Sequence, residues 1–122
     1  MSKFKITNEI RDILLNDADV VSMVGDNIFP LNADKDTEGD FIIYMRDEYS
    51  IDRSKMGIVS QKCNVYINAV SSDYNRSQDI AVLIFEALEG DFESPNMRIR
   101  LEDSTEDYAD GKYIQVLLFS IQ

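Results

Sequence analysis

Residues 59–69, with the sequence VSQKCNVYINA, decide the fold of this chain. From Cys63 to Ala69 every second residue is apolar, and polar or aromatic residues stand between them. Side chains of a β-strand alternate between its two faces, so this period of two predicts a half-buried strand. Cys63 falls on the apolar side, and the chain has no histidine to activate it. We therefore interpret Cys63 as a small core residue and not as a nucleophile.

The longest helical pattern of the chain follows this strand. Ser71, Ser72 and Asp73 are suitable N-cap residues, and Gly90 after Glu89 is suited to the left-handed conformation that ends a helix. Apolar residues between these ends form a stripe wider than that of a helix with one buried side. We expect the sheet to cover one side of this helix and either the first helix or a neighbouring subunit to cover the other. The stripe consists of Ile80, Ala81, Val82, Leu83, Ile84, Phe85, Ala87 and Leu88.

Two shorter helices are predicted before the strand. Apolar residues at helical spacing predict the first helix over residues 7–17, with Thr7 or Asn8 as its N-cap. In the segment 20–30, VVSMVGDNIFP, the three valines are expected to dock inward and Gly25 to end the helical turn. The chain is then expected to be extended until the proline that closes this segment.

The remaining apolar segments predict three more strands. The run FIIYM at 41–45 is interpreted as a central or doubly covered strand, and residues 97–101 and 113–121 are two further strands joined by an acidic loop. Residues 47–57 are interpreted as a long loop. A hairpin that extends from the sheet is the second interpretation of this segment. The order of elements predicts a single domain over residues 1–122, of the α+β class. Its sheet is expected to be mainly antiparallel, with about four to five strands and with helices packed on one face.

The composition limits the classes of function. Of the 122 residues, 23 are acidic and 12 are basic, which gives a formal net charge of -11. This charge repels a phosphate backbone, so we expect no specific nucleic-acid binding. The single cysteine cannot form an internal disulfide, and no apolar run approaches the roughly 18 to 20 residues that cross a bilayer. We therefore expect a soluble protein of a reducing cytoplasm, with no membrane partner.

Few residues of the chain are suited to catalysis. Without histidine, it lacks the commonest general base, and neither Ser-His-Asp nor Cys-His arrangements can form. No glycine-rich phosphate loop and no Cys-x-x-Cys pair occurs. Glu102-Asp103 and Glu106-Asp107 are predicted to lie in the acidic loop as a solvated turn, without an apolar wall that would tune them for acid-base chemistry. We expect no enzyme, no cofactor and no small-molecule substrate.

One segment of the polar loop over residues 31–40 is similar to a calcium-binding loop. Asp34, Asp36, Glu38 and Gly39 match positions one, three, five and six of that pattern. Position twelve, where a glutamate closes a calcium site, is Met45. We therefore expect no specific calcium site.

The order and spacing of the predicted elements point to a family. The segments that carry this resemblance are Ile13-Leu14, Val20 to Gly25, Ile28-Phe29-Pro30, the strand ending in Tyr44, Val65-Tyr66-Ile67, Leu88-Glu89-Gly90, and the last strand with Phe119 and Ile121. Over nearly its whole length the chain resembles the small minor tail and head-tail joining proteins of long-tailed bacteriophages, the tail-completion or tail-terminator family.

The resemblance implies a non-enzymatic structural protein of a phage or prophage virion, made in the bacterial cytoplasm. It implies a ring, expected to be hexameric, at the end of the tail tube or between tail and head. The partners would then be further copies of the chain and a tail-tube or head-tail connector protein. We expect subunit or tail contacts at Asp34, Asp36, Glu38, Arg53, Lys55 and Met56. We expect lumen-facing acids, which would let DNA pass without sticking, at Glu102, Asp103, Glu106 and Asp107.

Two other classes of function stay open at this point. An acidic monomeric or dimeric adaptor or inhibitor would use the same loops and the same charge to dock on a basic protein. A small enzyme is the third class, and the missing catalytic groups disfavour it.

We expect millimolar calcium to leave the melting temperature and the tryptic cleavage pattern of residues 31–40 unchanged, because Met45 stands where the closing ligand is needed. Thermal melts and limited proteolysis measure the two properties. Magnesium at the same concentration is the control for ionic strength. A rise in melting temperature that only calcium produces would contradict this expectation.

Overall fold

A computed structural model describes residues 4–33, 37, 39–54, 57–93 and 96–122 of the chain. Within these residues the chain forms three helices and six strands. In chain order they are α1 (Ile6–Leu15), α2 (Ala18–Val24), β1 (Ile28–Pro30), β2 (Phe41–Ser54), β3 (Gly57–Ser71), α3 (Tyr74–Leu88), β4 (Gly90–Glu93), β5 (Asn96–Ala109) and β6 (Lys112–Ile121).

The strands form one curled sheet in the order β1-β2-β3-β6-β5-β4. β1 runs parallel to β2, and all other neighbouring strands are antiparallel. The α+β class is confirmed. The expected number of four to five strands is wrong, because the sheet has six. The sheet is mixed because one of its strand pairs is parallel. The additional strands β1 and β4 are three and four residues long, too short for an alternating pattern to show in the sequence.

One face of the sheet packs against the helices. β3 lies between β2 and β6, and its residues Cys63, Val65 and Ile67 are fully buried. Phe119 and Leu117 of β6 lie opposite Val65 and Ile67, so they belong to the same face. α3 packs on this face, and α1 and α2 pack against α3. The buried side chains of the helices are Ile6, Ile10, Leu14, Val20, Val24, Ser77, Ile80, Ile84 and Leu88.

The structure corrects two details of α3. The sheet and α1 cover it from two directions as expected, but Val82 and Phe85 stay 53% and 38% exposed. Gly90 does not provide the expected left-handed cap. Glu89 follows the helix in an extended conformation, and Gly90 is the first residue of β4, with φ at 150°. The chain therefore passes from the helix directly into a strand.

The N-terminal helices also differ in detail from the predictions. Lys5 occupies the N-cap position of α1, so neither Thr7 nor Asn8 caps this helix. Val21 of α2 is 37% exposed, and its expected inward docking is wrong. Gly25 ends α2 as predicted. Its φ of 62° and ψ of -134° form a conformation that glycine adopts far more easily than other residues do.

Two segments that were predicted as loops are strands. β2 and β3 stay paired as far as Ser54 and Gly57, so residues 47–54 and Gly57 belong to an extended hairpin, as the second interpretation of this segment held. β5 continues through the predicted acidic loop to Ala109, paired with β6. Residues 102–110 are all exposed. They show no apolar period, because pairing with β6 and not burial makes this segment a strand.

We expect Ile84→Ala to lower the free energy of unfolding by about 2 to 5 kcal/mol, because Ile84 is fully buried and its truncation leaves a cavity. Val82→Ala on the same helix is the control. Val82 is 53% exposed, so this change should alter the free energy by less than about 0.5 kcal/mol. Chemical denaturation followed by circular dichroism measures both. Equal losses for the two variants would contradict the placement of α3.

Candidate interaction surface

The face of the sheet opposite the helices, here called the open face, is apolar at its centre. An antiparallel sheet with a solvated face normally carries polar residues there. In this sheet, partly exposed apolar side chains from β2, β3 and β6 lie next to one another instead. They are Ile43, Met45, Tyr66, Ile114, Val116 and Leu118.

Two hollows lie on the open face. The smaller has a volume of about 380 Å³, lies towards the β5–β6 turn and includes Asp110 and Lys112 in its wall. The larger, here called the groove, has a volume of about 430 Å³ and crosses from β2 to β5. The residues that line the groove are Met45, Tyr66, Asn68, Asp103, Ser104, Thr105, Val116 and Leu118.

Two asparagines of β3 on this face have unsatisfied side-chain oxygens. In the part of the chain that the structure describes, Oδ1 of Asn64 and Oδ1 of Asn68 are buried and have no hydrogen-bond partner. Leaving a buried acceptor in this state costs about 1 to 3 kcal/mol. Asn68 is also one of the residues that line the groove.

The outer edge of β5 is closed by carboxylates. β4 pairs with β5 only at residues 96–99, so β5 continues beyond it without a neighbouring strand on that side. Three backbone N–H groups further along β5 donate to acidic side chains at 3.2, 2.8 and 2.8 Å. The donors are Leu101, Ser104 and Tyr108, and the acceptors are Glu89, Asp103 and Asp107, respectively. This edge therefore offers few free donors to a further strand.

The four acids that were expected to face a lumen, Glu102, Asp103, Glu106 and Asp107, lie within β5 and not in a loop. Asp103 follows the β-bulge of this strand and lines the groove. Asp107 is at an alternate position and shares the open face with it. Glu106 is opposite Gln115, on the face that the helices cover. The strand thus divides the acids between two faces, and their position at a lumen stays a prediction.

Glu106 belongs to a hydrogen-bond network at the start of α3. Nε2 of Gln115 donates to Oε2 of Glu106 at 2.7 Å and lies 3.3 Å from Oγ of Ser77. The hydrogen bonds from Gln115 and from Tyr74 hold the pKa of Glu106 below its ordinary value. The same bond raises the pKa of Tyr74, whose ring also lies 5.4 Å from that of Tyr113. The network ties the exposed half of β5 to α3.

The β2–β3 hairpin extends past the rest of the sheet as an arm. β6 ends short of the hairpin tip, so residues 50–54 and 57–62, here called the arm, continue as two strands. Phe4 lies at the base of the arm, with its ring 4.9 Å from that of Tyr49. The guanidinium of Arg46 lies 5.1 Å from the centre of the Phe4 ring and donates to the Phe4 carbonyl. Phe4 therefore supports the arm where it leaves the sheet.

Most of the residues expected at subunit or tail contacts lie outside the described residues. These are Asp34, Asp36, Glu38, Lys55 and Met56. Arg53 lies within β2, in the arm. The role of all six at contacts stays a prediction.

The apolar residues of the open face are the surface that the sequence analysis missed. The signal was present in the runs 41–45 and 113–121, where positions of both parities are apolar. A strand with one solvated face should alternate. A run without alternation, on a sheet with helices on a single face, indicates that something covers the second face.

Three further observations limit the chemistry of the site. Among the described residues, no group of three or more Asp, Glu, His or Cys side chains is placed to hold a metal ion. No helix within those residues is long and apolar enough to span a membrane. Cys63 is buried in the core, as predicted.

Comparisons with known proteins show the fold. No protein-family model matches the chain, and no curated protein matches it. A solved structure does: a chain in the virion of a native gene transfer agent particle has a TM-score of 0.75 and 13% sequence identity. The match covers 92% of this chain and 89% of the other. At this identity the likeness establishes a common fold.

We expect Tyr74→Phe to raise the pKa of Glu106 towards its ordinary value of 4.5, because the variant lacks the hydroxyl that hydrogen-bonds the carboxylate. A lowered pKa means that folding favours the charged form. Its contribution to stability is therefore complete above the ordinary pKa and is lost as the pH falls through the lowered folded value.

An NMR titration of the side-chain carboxyl groups measures this change. Tyr108→Phe is the control, because the Tyr108 ring also packs on Tyr113, at 5.0 Å. It should leave the pKa of Glu106 unchanged. Equal shifts in the two variants would show that ring packing, and not the hydrogen bond, sets this pKa.

Proposed function

We propose that this chain is a structural subunit of a phage or phage-like virion, which completes the tail or joins it to the head and acts without catalysis. The observation that carries the proposal is the fold shared with a chain of the gene transfer agent virion, over 92% of one chain and 89% of the other. Because the match covers most of both chains, the likeness applies to the whole fold and not only to a common supersecondary motif. The sequence resemblance to tail-completion and head-tail joining proteins supports the same role.

The subunits are proposed to form a ring, with six members expected. The open face and the arm are two unlike surfaces of the molecule. Contacts between unlike surfaces generate rings when the rotation closes. The open face also exposes apolar side chains next to one another, which is typical of an interaction site.

The charge of the chain suits a position beside passing DNA. A net charge of -11 disfavours adhesion to phosphate groups. Glu102, Asp103, Glu106 and Asp107 stay the proposed lumen acids. Asp103 and Asp107 fit this role best, because they share one face, whereas Glu106 is held in the network below α3.

One observation favours a second function, that of an adaptor or inhibitor docking on a basic protein. The carboxylates along the outer part of β5 form an acidic surface of the kind that such partners recognise. This function predicts a monomer or dimer that binds a basic partner and does not recognise tail tubes.

Light scattering across protein and salt concentrations, followed by negative-stain imaging with and without polymerised tail-tube protein, separates the two functions. We expect closed rings, either alone or on the ends of the tubes. A monomer or dimer that does not bind tube ends would overturn the virion proposal and favour the adaptor.

Met45→Glu is expected to abolish these rings. Met45 is 36% exposed and lines the groove, so assembly would bury a new, unpaired carboxylate there. Val82→Glu, on the exposed side of α3, should retain the rings. Circular dichroism and thermal melts verify that both variants fold. If both variants form rings equally well, the open face is not an interface.

A further inference from the structure

The arm is basic in a strongly acidic protein. Within the arm the chain carries Arg53 and Lys62 against the single acid Asp52, although its net charge is -11. The arm is thus a two-stranded ribbon with net positive charge, and β6 does not pair with it.

The groove has the opposite charge. Asp103 lines it, and Asp107 lies further along the same strand on the same face. From Leu101 to Gly111 the chain contains acidic residues and no basic residue. The open face and the arm are therefore electrostatically complementary, and they lie at different places on the molecule.

We propose that the arm of one copy lies in the groove of the next copy. The proposal rests on the ring of the proposed function and names the contact that would build it. The contact is then heterologous, because each subunit contributes one arm and one groove, as a closed ring requires.

The groove is better suited to the arm than the nearest strand edge is. The N–H groups on the outer edge of β5 are occupied by carboxylates, so a partner strand would find few donors to pair with there. The groove instead presents apolar side chains, among them those of Val116 and Leu118. The arm brings apolar residues of its own, because Ile51, Ile58 and Val59 lie within it.

The length of the arm is also adequate. The five residues from Ser50 to Ser54 span about 13 Å between their first and last Cα atoms, at roughly 3.3 Å per residue. This length is close to the roughly 14 Å from β2 to β5, which are three strand spacings of about 4.8 Å apart. An arm from a neighbouring copy can therefore cross the groove from β2 to β5.

Complementary charge reversals test the contact. The arm variant is Arg53→Glu with Lys62→Glu, and the groove variant is Asp103→Lys with Asp107→Lys. Each variant alone opposes like charges across the contact, so its self-association should be at least about tenfold weaker than that of the natural chain. When the two are mixed, every contact again joins opposite charges, and alternating rings should form.

The control is a third variant, Asp79→Lys with Glu86→Lys, which reverses two exposed charges on α3. It should associate like the natural chain, and mixing it with the arm variant should not bring the arm variant into closed rings, because the reversed arm still meets an acidic groove. Light scattering and negative-stain imaging on tail-tube ends follow all combinations, after circular dichroism has shown that each variant folds.

The outcomes separate this contact from the proposed function. If the natural chain forms no ring with or without tubes, the proposed function fails and the contact fails with it. If the natural chain forms rings and both variants do so equally well, the contact is wrong and the function stands. Failure of the mixed variants to assemble, or rescue of the arm variant by the α3 control, would likewise overturn the contact.

Discussion

The alternation of side chains along β3 is the constraint on which the rest of the structure depends. The buried residues at alternate positions from Cys63 to Ala69 point towards α3, so the helices must cover that face. The residues between them then point to the open face, where Asn68 and Tyr66 line the groove. A slip of one residue would exchange the two faces and place asparagines in the core. The core and the proposed interaction surface are therefore set by the same register.

Elements with one buried side could be predicted from the sequence. Elements without a buried side could not be predicted. The alternating strand β3 and the broad stripe of α3 appear close to their predicted positions. The outer half of β5 is exposed at every position from 102 to 109, so only its pairing with β6, across the two-residue turn of Asp110 and Gly111, makes it a strand. The open face was missed for a related reason. The apolar runs at 41–45 and 113–121 show that a second face is apolar, but not whether the same chain covers it.

The acidic residues of the chain do more than keep it in solution. Glu89, Asp103 and Asp107 accept hydrogen bonds from backbone N–H groups along β5, and Glu106 connects that strand to α3 through Gln115. In the sequence this region resembles a solvated turn. In the structure the same carboxylates occupy the edge of a sheet, which protects it from pairing with unrelated strands. In the proposed ring, contact between copies is then left to the open face and the arm.

The way the arm joins the sheet has a mechanical consequence. β3 runs without interruption from the arm into the sheet, where it is paired with β6 from Cys63 to Ser71 and with β2 on its other side. A pull on the arm along its axis would act on β2 and β3 together and would have to slide β3 past β6. Many hydrogen bonds would then bear the load at once, whereas peeling a strand from an edge breaks them one after another. Tension on the arm is thus carried into the centre of the sheet, beneath α3, and not into a surface loop.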